Sequence, residues 1–313
     1  MANSHNLFLE YHQEISIGKN KKARMISSKE ALRKRISKWF KDNHSDYEPK
    51  FYIQGSHKMK TGIRTKEDIC DLDDGVYFFK EPDVTATTLQ SWVKEAVNGY
   101  TSTDPEHRKK CVRSIFVDDY EIDHPIYYKV DGNEYNIAVK NIGFEDSDPK
   151  AMVEWFNSKK DKDGKLIRHV MYLKGWCDEL RHKMPSGLAM SILAANALDN
   201  IVLNERDDIT LRDILKEIKK ELDRDFKCIV PAVPNDDLFK DFDGTNFLKA
   251  LNDFIDDADK ALKDENQLSS SKLWRNHLGK RFPEGKDENH EKNSRLASSI
   301  IAGAATSKPW ACE

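Results

Sequence analysis

Gln54-Gly55-Ser56-His57-Lys58-Met59-Lys60-Thr61, followed by Asp71-Leu72-Asp73-Asp74-Gly75, is the stretch that decides the fold. It sets a Gly-Ser turn ahead of two carboxylates with Asp-x-Asp spacing. Alternation along a strand puts Asp71 and Asp73 on one face and Cys70 and Leu72 on the other. Two neighbouring acids repel unless a cation lies between them, and hard oxygen ligands suit Mg²⁺ holding a nucleoside triphosphate. The glycine lets backbone amides approach phosphate oxygens, and the serine hydroxyl adds a donor. Asp74 reads as a turn or cap residue beside Gly75.

Working outward, Lys50 to Gln54 and Ile69 to Phe79 read as strands. A helix before them is opened by a capping box, Ser27-Ser28-Lys29-Glu30, and carries Leu32, Ile36, Trp39 and Phe40 at helical spacing. Thr85 to Val97 is a second helix. Strand patterns follow at Cys111 to Val117, Tyr120 to Tyr128 and Glu134 to Val139, with Asp131-Gly132-Asn133 as a tight turn. Glu121 and Asp123 share one face of their strand. If that strand lies beside the Asp71 strand, Asp123 completes a three-carboxylate cluster for two ions, Mg²⁺ or Mn²⁺.

From about Pro149 the pattern turns to helices, at Arg168 to His182, Gly187 to Leu203, Leu211 to Leu222 and Asn246 to Leu262. This order predicts an α+β half followed by a helical half. The polar stretch 157–164 is the expected seam. The domains then run 1–160 for a catalytic lobe with an N-terminal helix, 161–285 for a helical lobe closing the cleft, and 286–313 for a charged, mobile tail.

With 38% hydrophobic and 34% charged residues and a formal net charge of -3, the 313-residue chain reads as a well solvated globular protein. It has no apolar run long enough to cross a bilayer and no secretion-type N-terminus. The five scattered cysteines form no CxxC pair, which suits a cytoplasm and argues against zinc or a disulfide frame. Both Asp71–Gly75 and Asp161–Lys165 fail as calcium loops, and no P-loop motif occurs. Lys58, Lys60, Arg64 and Lys66 could meet triphosphate charge, whereas Arg108-Lys109-Lys110 reads as a solvated turn. Without a long basic stripe, activation by double-stranded nucleic acid is not expected. Trp39, Trp155 and Trp176 read as core residues.

Gly55-Ser56, Thr61, Asp71-x-Asp73 with Gly75 and Tyr77, and Asp123-His124-Pro125-Ile126-Tyr127 together resemble the cGAS/DncV-like nucleotidyltransferases of the polymerase-β-like superfamily, relatives of the oligoadenylate synthases. Arg168 to Trp176 looks like the family's helix with a phosphate-contacting lysine, here Lys174. Pro185-Ser186-Gly187 looks like its Pro-Ser element, and Leu273 to Pro283 is similar to a closing segment of bacterial members. The resemblance spans roughly residues 25 to 285.

It implies a bilobed α+β enzyme, with a mixed sheet and a helical lobe, that joins ATP or GTP into a cyclic di- or trinucleotide and releases pyrophosphate. It also implies anti-phage signalling through a separate effector. Asp71, Asp73 and Asp123 become the catalytic and metal-binding acids, and Gln54, Gly55, Ser56, Lys174 and Ser186 the nucleotide-binding residues. Glu121 departs from the family, standing where relatives often carry histidine. The ending Lys308 to Glu313 resembles tails handled by ubiquitin-transfer-like partners. Two alternatives remain open: terminal transfer to an RNA or small hydroxyl acceptor, and a catalytically silent nucleotide-binding module.

Overall fold

The computed structural model describes residues 2–117, 119–181 and 184–287. The ending Lys308 to Glu313, with the tail from residue 288 on, lies outside them. Along the chain come α1 (His5–Ile15), α2 (Lys19–Asn43), β1 (Lys50–Gln54), α3 (Gly55–Met59), β2 (Cys70–Phe78) and α4 (Ala86–Val97). Then follow β3 (Glu106–His107), β4 (Val112–Phe116), β5 (Tyr120–His124), β6 (Ile126–Tyr128), β7 (Asn136–Val139) and β8 (Gly143–Asp146). The last part is helical: α5 (Pro149–Ser158), α6 (Lys165–Leu180), α7 (Gly187–Asp199), α8 (Asp207–Arg224), α9 (Thr245–Lys263) and α10 (Gln267–Leu278). No described helix is long and apolar enough to cross a membrane.

The strand carrying the acids is the centre of an eight-stranded mixed sheet. On one side β2 pairs antiparallel with β1. On the other it runs parallel to β5 and then β6, which Pro125 separates. Beyond these, β4 continues from β5 and β7 from β6, both antiparallel.

One face of this sheet is apolar. Cys70, Leu72, Val76 and Phe78 of β2 pack there with Leu32, Ile36 and Phe40 of α2 and with Leu89 and Val93 of α4. Burying an aliphatic side chain contributes about 2 kcal/mol, so this face fixes the register and leaves Asp71 and Asp73 on the other. The alternation expected from sequence holds.

Three expectations change. The Ser27 capping box lies inside α2, because Met25 extends the buried stripe of Leu32, Ile36 and Phe40 toward the N-terminus. Ser28 Oγ bonds the Tyr120 hydroxyl at 2.8 Å, and Glu30 pairs with Lys29 at 2.7 Å. Asp74 is no turn residue. It is a fully buried strand residue held by Arg33, whose Nε donates to Oδ2 at 2.8 Å. Finally, residues 5–15, assigned by sequence to the first lobe, bury Leu7, Phe8, Tyr11 and Ile15 in the core of the helical lobe. Met152, Val153 and Phe156 of α5 join the same core, so its packing begins before the seam at 157–164.

Candidate active site

Between the acid-bearing sheet face and the helical lobe lies a cleft of about 460 Å³. Gln54, Gly55, Ser56, Asp71 and Asp73 line it from the sheet side, and Lys174, Gly187 and Leu188 from α6 and α7. Gly55 and Ser56 open α3 directly after β1, so the Gly-Ser turn is the first step of a short helix. At Gly55 the backbone takes φ +57, and a Cβ would lie 2.0 Å from Asp73 Oδ2. Only glycine brings this backbone so close to the acid.

Ser56 Oγ is buried and has no hydrogen-bond partner among the described residues. A buried hydroxyl left unpaired costs about 1–3 kcal/mol, which a ligand oxygen would relieve. Lys174 reaches across from α6 and donates to the Thr61 carbonyl at 3.2 Å and its hydroxyl at 3.1 Å. Burial draws the Lys174 ammonium down to about 8, against the pull of Asp71 and Asp73. The same lysine, Ser56, Asp71 and Gly187 line an adjoining cavity of about 250 Å³.

Burial, reinforced by the Asp71 and Asp123 charges, pushes the Asp73 carboxyl up to about 7. A carboxyl raised by neighbouring acids is one that a cation would stabilise. With oxygen donors on Asp71 and Asp73, the pair fits a divalent ion.

Asp123 is differently disposed. The parallel register sets it beside Asp73 and sets Glu121 beside Asp71, as the strand order required. Its carboxylate, however, turns to Arg113 on β4, accepting from Nε at 2.7 Å and from a terminal nitrogen at 2.8 Å. Among the described residues no three His, Cys, Asp or Glu side chains are gathered as a metal cage. The structure therefore brings Asp71 and Asp73 together in the cleft and leaves Asp123 as their strand neighbour, held by an arginine.

Two other expected ligands are engaged elsewhere. The Gln54 amide donates to the Tyr127 hydroxyl at 3.1 Å and its carbonyl accepts from Tyr77 at 2.8 Å, so its side chain braces the turn. Ser186 is the N-cap of α7, accepting from the Ala189 amide at 3.2 Å, while its neighbour Gly187 faces the cleft. Arg64 and Lys66 are also spoken for. Arg64 donates to the Glu14 carbonyl at 2.9 Å, and the Lys66 ammonium to the Glu179 carbonyl at 3.0 Å.

Sequence reasoning missed Arg113, Lys110 and the far wall of the cleft. Arg113 has a signal in hindsight, because the antiparallel register places it directly opposite Asp123. Lys110 lines the cleft rather than only a solvated turn, and its ammonium pairs with Glu145 at 3.1 Å. The wall of Val230, Val233, Pro234 and Leu238 comes from a loop between α8 and α9 that shows no periodicity.

Residues 49–127 match the model of the nucleotidyltransferase domain described as "Cyclic GMP-AMP synthase DncV-like". The chain is 23% identical to the cyclic GMP-AMP synthase of Escherichia coli, over 62% of this chain and 60% of that protein. It is 24% identical to that of Vibrio cholerae, over 57% of this chain and 53% of the relative. The chain thus spans somewhat over half the length of the curated relatives it matches. The crystal structure of the Vibrio cholerae DncV cyclic AMP-GMP synthase superposes with a TM-score of 0.79 at 17% identity, covering 90% of this chain and 97% of that one. The Escherichia coli DncV bound to 3'-deoxy GTP gives 0.76 at 18% identity, covering 86% and 93%. At such identities the structural likeness establishes the fold.

Proposed function

The chain belongs to the bacterial cGAS/DncV-like nucleotidyltransferases, and from that premise we propose that it joins nucleoside triphosphates into a cyclic di- or trinucleotide messenger. In the reaction, a ribose hydroxyl of one nucleotide forms a bond to the α-phosphorus of another. The bond to the bridging oxygen breaks, pyrophosphate leaves, and the hydroxyl proton passes to a base. A second transfer closes the ring.

One observation carries the reading. The unpaired Ser56 hydroxyl and the Lys174 ammonium converge from opposite lobes on the cavity that holds Asp71. Ser56 has a free donor for a phosphate oxygen, and Lys174 brings positive charge to the triphosphate. Gly55 keeps the backbone close enough for the phosphate tail to sit against Asp73. Asp71 and Asp73 would hold Mg²⁺ or Mn²⁺, which when bound polarises the attacking hydroxyl and neutralises the leaving pyrophosphate. Asp123 is the third acid at the hydroxyl side.

Substrates in this reading are ATP, GTP or both, as in the Vibrio cholerae DncV structure with ATP, GTP and 5MTHFGLU2. Anti-phage signalling through an effector and a ubiquitin-transfer-like partner at Lys308–Glu313 rest on the family resemblance, and a cytoplasmic location on the five scattered cysteines. Deleting the last ten residues should abolish capture by such a partner; unchanged capture would remove that part.

Purified protein with all four NTPs and Mg²⁺ or Mn²⁺ tests the activity. Phosphatase-resistant product made without an acceptor supports ring closure, and mass spectrometry identifies its bases. Product only with an added acceptor would replace cyclisation by terminal transfer. No pyrophosphate release would leave a silent nucleotide-binding module. Asp71→Asn with Asp73→Asn should lower the rate by at least about a thousandfold without unfolding the protein, and EDTA should reproduce the loss in the wild type.

A further inference from the structure

One guanidinium holds two acids beside the catalytic pair. Arg113 grips Asp123 with two nitrogens, at 2.7 and 2.8 Å, and its remaining terminal nitrogen pairs with Glu121. The side chains of Arg113, Glu121 and Asp123 are 16%, 23% and 14% exposed, so water only partly screens them. Across the sheet, Asp73, Asp123 and Arg113 lie in one register row, with Asp71, Glu121 and Ile115 in the next. Ile115 offers the guanidinium no alternative partner.

We propose that Arg113 and Glu121 are a positioning pair for Asp123. In the observed arrangement Arg113 holds the Asp123 carboxylate and so limits the repulsion among the acids. When Asp123 turns toward a cation held by Asp71 and Asp73, Glu121 keeps the guanidinium paired. A half-buried arginine stripped of its carboxylate would otherwise oppose that turn. The planar fork of arginine allows both states, since its five donors reach two carboxylates at once. Glu121 thereby acquires a role as the acid that makes the release of Asp123 affordable. The inference rests on the reading of Asp71 and Asp73 as the cation site.

The test is calorimetric titration of the nucleotide-free full chain with Mn²⁺, alongside turnover. Glu121→Gln should weaken Mn²⁺ about tenfold, the scale of an outer-sphere partner. Arg113→Gln should tighten Mn²⁺ by a similar factor, because Asp123 is freed, while lowering turnover through loss of its orientation. In the Arg113→Gln background, Glu121→Gln should have little further effect on Mn²⁺ affinity. Equal weakening in both backgrounds would mean that Glu121 acts only as a nearby charge, and no weakening in either would mean that it does not act at all; both overturn the proposal. Thermal midpoints report folding. If Arg113→Gln does not fold, Arg113→Lys serves as the background, since it keeps the charge and loses the bidentate grip. Asp71→Asn with Asp73→Asn should abolish Mn²⁺ binding. Retained binding there would overturn the cation site itself, an outcome separable from a failure confined to Arg113 and Glu121.

Discussion

At Gly55 two constraints coincide: a left-handed backbone and a carboxylate oxygen where any Cβ would sit. Gly55→Ala must either unwind the turn or push Asp73 aside. A displacement of about 1 Å in a reacting site costs on the order of a hundredfold in rate. Gly55→Ala should therefore lose about that much turnover, and the left-handed alanine should cost about 1–2 kcal/mol of stability. Steady-state rates and thermal melts check both. On the opposite face, Asp74 depends on Arg33. Arg33→Met should destabilise by about 3 kcal/mol, because it strands a buried carboxylate. Adding Asp74→Leu should recover most of the loss, read from denaturant midpoints.

Among the elements, β2 was the most legible in sequence, because Cys70 and Leu72 alternate with Asp71 and Asp73. The early part of α2 was the least. Lys19 to Arg24 shows no apolar spacing, so Ser27 looked like a start when it is mid-helix. Gly55, Ser56, Asp71 and Asp73 could be named from local pattern and Lys174 only through the family resemblance, and the structure brings all five to the cleft. Arg113 could not, because pairing across strands is invisible until the strand order is known. The α8 terminus supplies its own example of buried charge. Asp207 is fully buried and accepts from Arg168 at 2.7 Å and from Tyr172 at 2.9 Å. Despite burial, these partners hold its carboxyl well below the usual range. A depressed pKa contributes stability above the unfolded value near 3.9 that is lost as pH falls toward the folded one. Asp207→Asn should cost about 3 kcal/mol at neutral pH and flatten the fall in stability below about pH 4. Denaturant unfolding at pH 7 and pH 3 separates these effects.

For the molecule as a whole, the cleft is set by how the two lobes are joined. The segment between α3 and β2 is tied to the helical lobe by Asp178, which accepts from the Lys66 amide at 2.7 Å and from Arg281 at 2.6 Å. Arg281 also reaches the Arg64 carbonyl at 2.7 Å. Asp178→Ala cuts two of these ties, so local opening of residues 60–69 should become easier. Cleavage there by trypsin should accelerate about tenfold with the global melting midpoint little changed. Equal cleavage rates would show that the remaining ties, Arg281 to the Arg64 carbonyl and Arg64 to the Glu14 carbonyl among them, suffice to hold the segment.

The placement of α1 has a consequence in time. Phe8 packs edge-on against Trp274 and Phe282, residues from the far end of the described chain. During synthesis the sheet lobe can assemble as soon as its strands emerge, whereas α1 meets Tyr172 of α6 only later and completes its packing when Trp274 and Phe282 have left the ribosome. The part of its apolar face that Trp274 and Phe282 cover must wait, and that closing step joins segments separated by most of the described chain. α1 is therefore made before the strands yet fully placed only after them, and an mRNA truncated ahead of Trp274 should release a protein with a formed acid strand and a helical lobe that α1 only partly covers.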